Sequence, residues 1–146
     1  MKVTVLQENL ARGLGVVSKA VSPRSTLPVL ANVLIASDEG RLRLSATNLE
    51  MGITCWIPAR IDEEGSTTVP ARTFVDLVTM LPSDQVLLKL DPQTQTLNVR
   101  GGTSTNDIKC IDAQEFPPLP VPDFEGAVQI NVGDFREMIH QVVFAA

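Results

Sequence analysis

Residues 67–82, TTVPARTFVDLVTMLP, pass from an alternating pattern of apolar residues to a helical one. The alternating part predicts a strand from Ser66 to Pro70. The apolar residues that follow at helical spacing predict a helix from Ala71 to Leu81, which Pro82 stops because proline cannot continue a helix. The stretch therefore predicts one strand that runs directly into one amphipathic helix.

The same strand-into-helix pattern occurs three times along the chain. When Val5, Val69 and Ile130 are aligned, apolar residues recur in every copy at helical spacing. They are Leu10, Phe74 and Phe135; then Leu14, Val78 and Ile139; then Val17, Leu81 and Val142. The strands of the three copies are predicted in KVTVLQ, STTVPA and AVQINV. A repeat of this kind is typical of a modular scaffold.

Each complete module has three further predicted strands after its helix. In the first module the helix is predicted from Glu8 to about Val21, followed by strands at Val29–Ala36, Arg41–Ala46 and Met51–Ile61. In the second module the strands are Val86–Leu90, Thr96–Arg100 and Thr105–Ile111. The order strand, helix, strand, strand, strand predicts an α+β domain with its helices on one face of antiparallel sheets.

A proline-rich segment separates this domain from the third copy of the repeat. EFPPLPVPDFE, residues 115–125, contains four prolines and no period, which indicates an extended linker. We expect Phe116 and Phe124 to pin it to the domain surface, and a polyproline ligand for an SH3-like partner is the alternative. Residues 1–125 are then one domain with its linker, and residues 126–146 begin an incomplete second one. The apolar face of the last helix has no sheet of its own to cover.

Composition points to a folded, intracellular protein. The chain has 146 residues, 44% of them hydrophobic, with no signal-like N-terminus and no apolar run long enough to span a membrane. We therefore expect a cytoplasmic protein. Cys55 and Cys110 fall on strand-like segments without metal-ligand spacing, so reduced thiols are expected.

No motif for catalysis, for a phosphate loop or for a metal is present, so no enzyme activity, cofactor or metal is expected. His140 is the only histidine, and it lies on the helix face opposite Phe135 with no partner of obvious catalytic role.

The net charge of −5 is unevenly distributed. The first 24 residues contain four basic side chains and one acidic one, Glu8. A local basic surface of this kind permits contact with phosphates.

The basic residues have two interpretations. Arg12, Lys19, Arg24 and Arg72 are either ordinary solvated charges or parts of a stripe that meets phosphates. The repeat favours the stripe, because edge-to-edge modules would place their helices on one shared surface. Arg12 and Lys19 are seven residues apart, on the face opposite Leu10.

Four segments in order give the chain a family resemblance. TLPVLANVLI at 26–35, TNLEMGI at 47–53, TTVPARTFVDLVTMLP at 67–82 and EFPPLP at 115–120 resemble the bacterial DNA polymerase III beta subunit, the family of sliding clamps. The resemblance covers the family's first domain and the opening strand and helix of its second. It implies the clamp fold, in which three domains of two modules each form a subunit.

The resemblance also implies a function. Two clamp subunits form a head-to-tail ring around duplex DNA, which tethers the replicative polymerase and performs no chemistry. By position, Arg24 matches a DNA-contacting residue and Arg72 a basic residue of the second helix, where Thr73 and Thr79 replace further basic residues of some relatives. The resemblance also implies that Asn106 and Ile108 lie on the edge strand that pairs with the other subunit. Because the resemblance ends within the family's second domain, it implies that this chain is an N-terminal fragment. The family's cleft for polymerase and clamp-loader tails lies between its second and third domains, which implies that this chain does not contain it.

Two other classes of protein stay open on the residues alone. One is a small intracellular oligomerisation or interaction module that does not bind DNA, with Trp56 and the proline-rich linker as its contact surface. The other is an enzyme with an unrecognised acidic site.

Overall fold

The computed structural model describes residues 1–146 as eight strands and three α-helices. The first module contains β1 (Lys2–Leu6), α1 (Gln7–Val17), β2 (Asn32–Asp38), β3 (Arg41–Thr47) and β4 (Gly52–Glu63). The second contains β5 (Ser66–Pro70), α2 (Ala71–Met80), β6 (Gln85–Asp91), β7 (Thr96–Gly101) and β8 (Ser104–Lys109). The chain ends with α3 (Val132–Val142) and a 3₁₀ turn. The predicted order of elements in both complete modules is confirmed.

All eight strands belong to one antiparallel sheet in the order β5-β2-β3-β4-β1-β6-β7-β8. The two modules are joined by their first strands: β1 lies between β4 and the second module's β6, and β5 pairs with the first module's β2. A bridge between Thr68 in β5 and Ile111, just after β8, brings the two ends of the sheet together. The N–H of each residue donates to the C=O of the other, at 3.0 Å and 3.2 Å.

The core lies between the sheet and helices α1 and α2, which pack beside each other on one face of the sheet. Each helix buries the residues that the repeat predicts, because apolar side chains three or four positions apart share one helix face. In α1 these are Leu10, Leu14 and Val17, and in α2 they are Phe74 and Val78, all without solvent exposure. Burying one such side chain contributes about 1.5–3 kcal/mol to the free energy of folding.

Two predicted boundaries in the first module are wrong. The α1 helix ends at Val17, and Ser18–Ala20 forms a 3₁₀ turn before the chain becomes extended at Val21. The predicted strand at Val29–Ala36 begins three residues later, because Pro28–Ala31 forms another 3₁₀ turn. Proline fits the first position of a helical turn, since its φ is already helical and the missing N–H has no partner there.

The third copy of the repeat forms its helix but not its strand. Residues 127–131 of AVQINV have no regular structure, because an isolated strand has no neighbour to hydrogen-bond its backbone. Asn131 instead caps α3, and its Oδ1 accepts from the N–H groups of Gly133 and Asp134 at 2.8 Å and 3.3 Å. The apolar face of α3 is exposed, as the sequence predicts: Phe135, Met138, Ile139 and Val142 are all about half exposed or more.

The proline-rich linker crosses the outer face of the sheet, on the side away from the helices. Phe116 is buried there, which confirms its predicted anchoring role, whereas Phe124 is 76% exposed and does not anchor the chain. Leu119 supplies the second contact instead, because its side chain lies directly over Gly52, where a Cβ would be only 2.8 Å from Leu119 Cδ2. No helix in the structure is both long and apolar enough to cross a membrane.

Candidate nucleic-acid interface

The outward faces of α1 and α2 carry one basic side chain each. Arg12 lies opposite the buried Leu10 and Leu14, and Arg72 lies opposite the buried Phe74, so both point away from the sheet and are exposed. Because the two helices are neighbours, these outward faces form one surface. The predicted arrangement of basic residues on shared helix faces is thus present for Arg12 and Arg72.

Arg12 does not present a free charge. Its Nη2 lies 2.8 Å from Glu8 Oε1, one helical turn earlier, in an exposed ion pair. Such i,i+4 pairs are worth only about 0.3–0.5 kcal/mol, so a phosphate can replace the glutamate at small cost. The Arg12 guanidinium can therefore still reach an anion in solution, but Glu8 weakens the attraction.

Lys19 and Arg24 lie beyond the end of α1. Lys19 is exposed in the 3₁₀ turn, so the seven-residue helical spacing from Arg12 does not apply to it. Arg24 is exposed in the following loop, which is held by hydrogen bonds from Ser22 N–H to Leu30 C=O at 2.8 Å and from Leu27 N–H to Ser25 Oγ at 3.1 Å. Neither side chain forms an ion pair. Both charges are accessible on an ordered backbone.

The second helix offers one cation and two hydroxyl groups. Arg72 is unpaired in the first turn of α2, and the exposed Thr73 and Thr79 add no charge. Thr79 Oγ1 donates to the C=O of Val75 at 2.8 Å. Asp76 lies one turn after Arg72 and reduces the positive potential of this helix. The surface can contact phosphates weakly and has no arrangement for reading bases.

The two predicted interface residues lie in β8, at one end of the sheet order. Asn106 is half-buried, and its Nδ2 donates to Ser104 Oγ at 3.0 Å. Ile108 is buried in the domain core, opposite Leu97 of β7. The Ile108 side chain therefore packs β8 against the domain core. The exposed side chains along the strand are Thr105, Asp107 and Lys109.

The remaining reactive side chains are not arranged for catalysis. Both cysteines are free, and burial raises the pKa of the Cys55 and Cys110 thiols, which disfavours the nucleophilic thiolate. His140 is exposed on α3. No three side chains of histidine, cysteine, aspartate or glutamate lie together as metal ligands.

Sequence reasoning missed one feature of the outer sheet face. Arg43 of β3 lies directly opposite Trp56 of β4, and both line a groove beneath the linker. The alternation in β4 places Trp56 on the outer face, where it is 45% exposed. The pairing register that brings Arg43 beside it cannot be read from either strand alone.

The antiparallel sheet with paired helices on one face is the fold of the sliding clamps. The sequence matches the family described as DNA polymerase III beta subunit, N-terminal domain, over residues 1–120. The chain belongs to this family, which confirms the predicted resemblance and fold class.

Individual relatives agree with this assignment. The beta sliding clamp of Synechococcus elongatus is 37% identical over 148 residues, which cover 99% of this chain and 39% of the relative. A crystal structure of the Caulobacter crescentus beta sliding clamp matches with a TM-score of 0.79 and 34% identity, over 82% of this chain and 32% of that one. A crystal structure described as that of a putative DNA polymerase III beta subunit from Eubacterium rectale matches with a TM-score of 0.81 and 28% identity. The match covers 84% of this chain and 33% of that one. The chain thus spans about two fifths of the length of its curated relatives.

Proposed function

We propose that this chain supplies the first domain of a DNA polymerase processivity factor. In this proposal the full-length protein forms a homodimeric ring around duplex DNA during DNA replication and tethers DNA polymerase III after a clamp loader has placed it there. Membership of the beta-subunit family over residues 1–120 is the observation that carries the proposal. The protein would work as a non-catalytic accessory subunit in the cytoplasm, without a cofactor and without a membrane partner.

In this proposal the helix side of the domain faces the DNA. Arg24 and Arg72 are the principal phosphate contacts, since both are exposed and free of ion pairs and both match basic positions of the family. Lys19 contributes from the 3₁₀ turn, and Arg12 contributes once it exchanges Glu8 for a phosphate. Contacts of this kind do not depend on base sequence, which suits a protein that must move along DNA.

The subunit contact is proposed at β8. A strand of the other subunit would pair with the β8 backbone beside Asn106, and the buried Ile108 would hold β8 against its own domain. Backbone pairing at a sheet edge needs little from the side chains except that they do not collide. This division of roles fits the half-buried Asn106 and the core position of Ile108.

The DNA contact predicts a defined loss on removal of two charges. We expect the 146-residue protein to bind a fluorescein-labelled 30-base-pair duplex weakly, with an affinity that falls as salt rises. Changing Arg24→Ala and Arg72→Ala together should reduce the slope of log K against log salt by roughly 1.8, because each lost phosphate contact removes about 0.9. Fluorescence anisotropy at a series of salt concentrations measures both quantities.

A matched control removes two cations from the opposite side of the domain. Lys89 and Arg100 are exposed on the sheet face, and changing both to alanine alters the net charge by the same amount. This pair should leave the salt slope nearly unchanged. Equal losses for both pairs would mean that net charge alone governs binding. Absence of binding by the unaltered protein at low salt would favour an interaction module that does not bind DNA.

A further inference from the structure

The outer face of the sheet contains a groove that the proposed function does not use. It lies between the proline-rich linker and strands β2 to β4, on the face away from the helices, and has a volume of about 720 Å³. Trp56, Phe116, Leu119 and Phe124 supply large apolar side chains to its walls. An open groove whose lining surface is mainly apolar, with a few polar groups, is typical of a site that binds part of another molecule.

Arg43 is the one charged side chain that lines this groove. Its Nη1 lies 3.8 Å from Asp38 Oδ2, beyond hydrogen-bond distance. Asp38 Oδ2 already accepts the indole N–H of Trp56 at 2.7 Å. Arg43 Nε is buried and has no acceptor. Arg43 thus forms an ion pair with Asp38 but no hydrogen bond to it, so its N–H groups remain available to a ligand.

Trp56 is held in place beside this cation. The hydrogen bond to Asp38 fixes the indole edge, and Arg41 lies 5.6 Å from the centre of the ring. A ligand would thus meet an aromatic wall that needs little ordering, which lowers the entropic cost of binding. The side chain of Arg43 is 39% exposed, so a carboxylate can reach it from the groove.

We propose that the groove binds an extended segment of a partner protein that carries a large apolar side chain next to a carboxylate. The apolar side chain would pack between Trp56 and the linker at Phe116, and the carboxylate would accept hydrogen bonds from Arg43. Arg43 is the only charged residue of the groove lining, and Asp38 lies beside it outside that lining, so Arg43 is the group that would meet an anionic side chain of the peptide. The inference does not depend on DNA binding, since the site is on the opposite face of the sheet.

Trp56 is the only tryptophan of the chain, so its fluorescence reports on the groove alone. The probe is a capped five-residue peptide with a leucine-phenylalanine pair followed by aspartate, titrated into the 146-residue protein. A saturable change in emission is expected. A second peptide with asparagine in place of aspartate should bind about tenfold more weakly, because the charged hydrogen bonds to Arg43 are lost.

Two protein variants complete the test. Arg43→Gln should lower the affinity for the aspartate peptide about tenfold and leave the affinity for the asparagine peptide unchanged. Arg60→Gln, on the same sheet face but outside the groove, should change neither affinity. Equal affinity of the two peptides for the unaltered protein would overturn the role of Arg43, whatever its variant does to folding. No saturable signal at millimolar peptide would overturn the site.

Discussion

Replacing Phe74 with alanine is expected to lower the free energy of unfolding by about 3–5 kcal/mol. Phe74 has no solvent exposure and is the largest of the fully buried side chains, in the middle of the face that α2 turns to the sheet. Its loss removes apolar burial and leaves a cavity between helix and sheet. Because natural domains are stable by only about 5–15 kcal/mol, this change should bring the protein close to unfolding.

The measurement is urea denaturation followed by far-ultraviolet circular dichroism. Met80→Ala is the matched control, since Met80 belongs to the same helix but is 75% exposed. It should change stability by no more than about 0.5 kcal/mol. A cost below about 1 kcal/mol for Phe74→Ala would show that α2 does not pack on the sheet in the way described.

A second large effect is expected from two glycines of α1 that differ only in what surrounds them. A Cβ at Gly13 would lie 2.8 Å from Leu44 Cδ1 and 3.1 Å from Ile57 Cγ2, whereas a Cβ at Gly15 would meet nothing within 4 Å. Gly13→Leu should therefore destabilise the domain by about 1–3 kcal/mol through overpacking. Gly15→Leu should stabilise it by up to about 1 kcal/mol, since leucine favours the helix over glycine.

Thermal unfolding of the two variants beside the unaltered protein distinguishes these effects. The expected result is a lower midpoint for Gly13→Leu and an equal or higher one for Gly15→Leu. Midpoints that move together would mean that helix propensity, and not the close approach of α1 to β3 and β4, governs both positions.

The sequence was sufficient for the features that depend on local spacing. The apolar positions of the repeat identify the buried faces of α1 and α2, because side chains three or four residues apart in a helix always share a side. The alternation of apolar residues in β4 likewise separates Trp56 from the buried Ile57, and Trp56 is 45% exposed in the structure. These predictions needed no knowledge of neighbouring strands.

Features that depend on which strands lie next to each other could not be predicted from the sequence. A strand pattern specifies which face is buried but not which strand lies alongside, so the joining of the modules through β1 and β5 could not be derived. The AVQINV segment has strand-like residues yet no neighbour to pair with, and it remains irregular.

Some features of the candidate sites follow from local spacing in the sequence, and others depend on how separate elements meet. The pairing of Arg12 with Glu8 follows from a spacing of four residues on a helix and could have been predicted. The position of Lys19 could not, because it depends on where α1 gives way to a 3₁₀ turn. The contact of Arg43 with the groove depends on cross-strand register and on the path of the linker.

The bridge between Thr68 and Ile111 makes one edge of the sheet less suitable than the other for pairing with a further strand. Thr68 has already used its N–H and C=O toward Ile111, and Pro70 has no N–H to offer, so β5 is a poor template for another strand. The edge of β8 from Ser104 to Lys109 is the one left for pairing. Between two copies of these 146 residues, the free backbone groups therefore favour a symmetrical contact, β8 to β8. The head-to-tail ring proposed for the full-length protein would need a second, different edge outside these 146 residues.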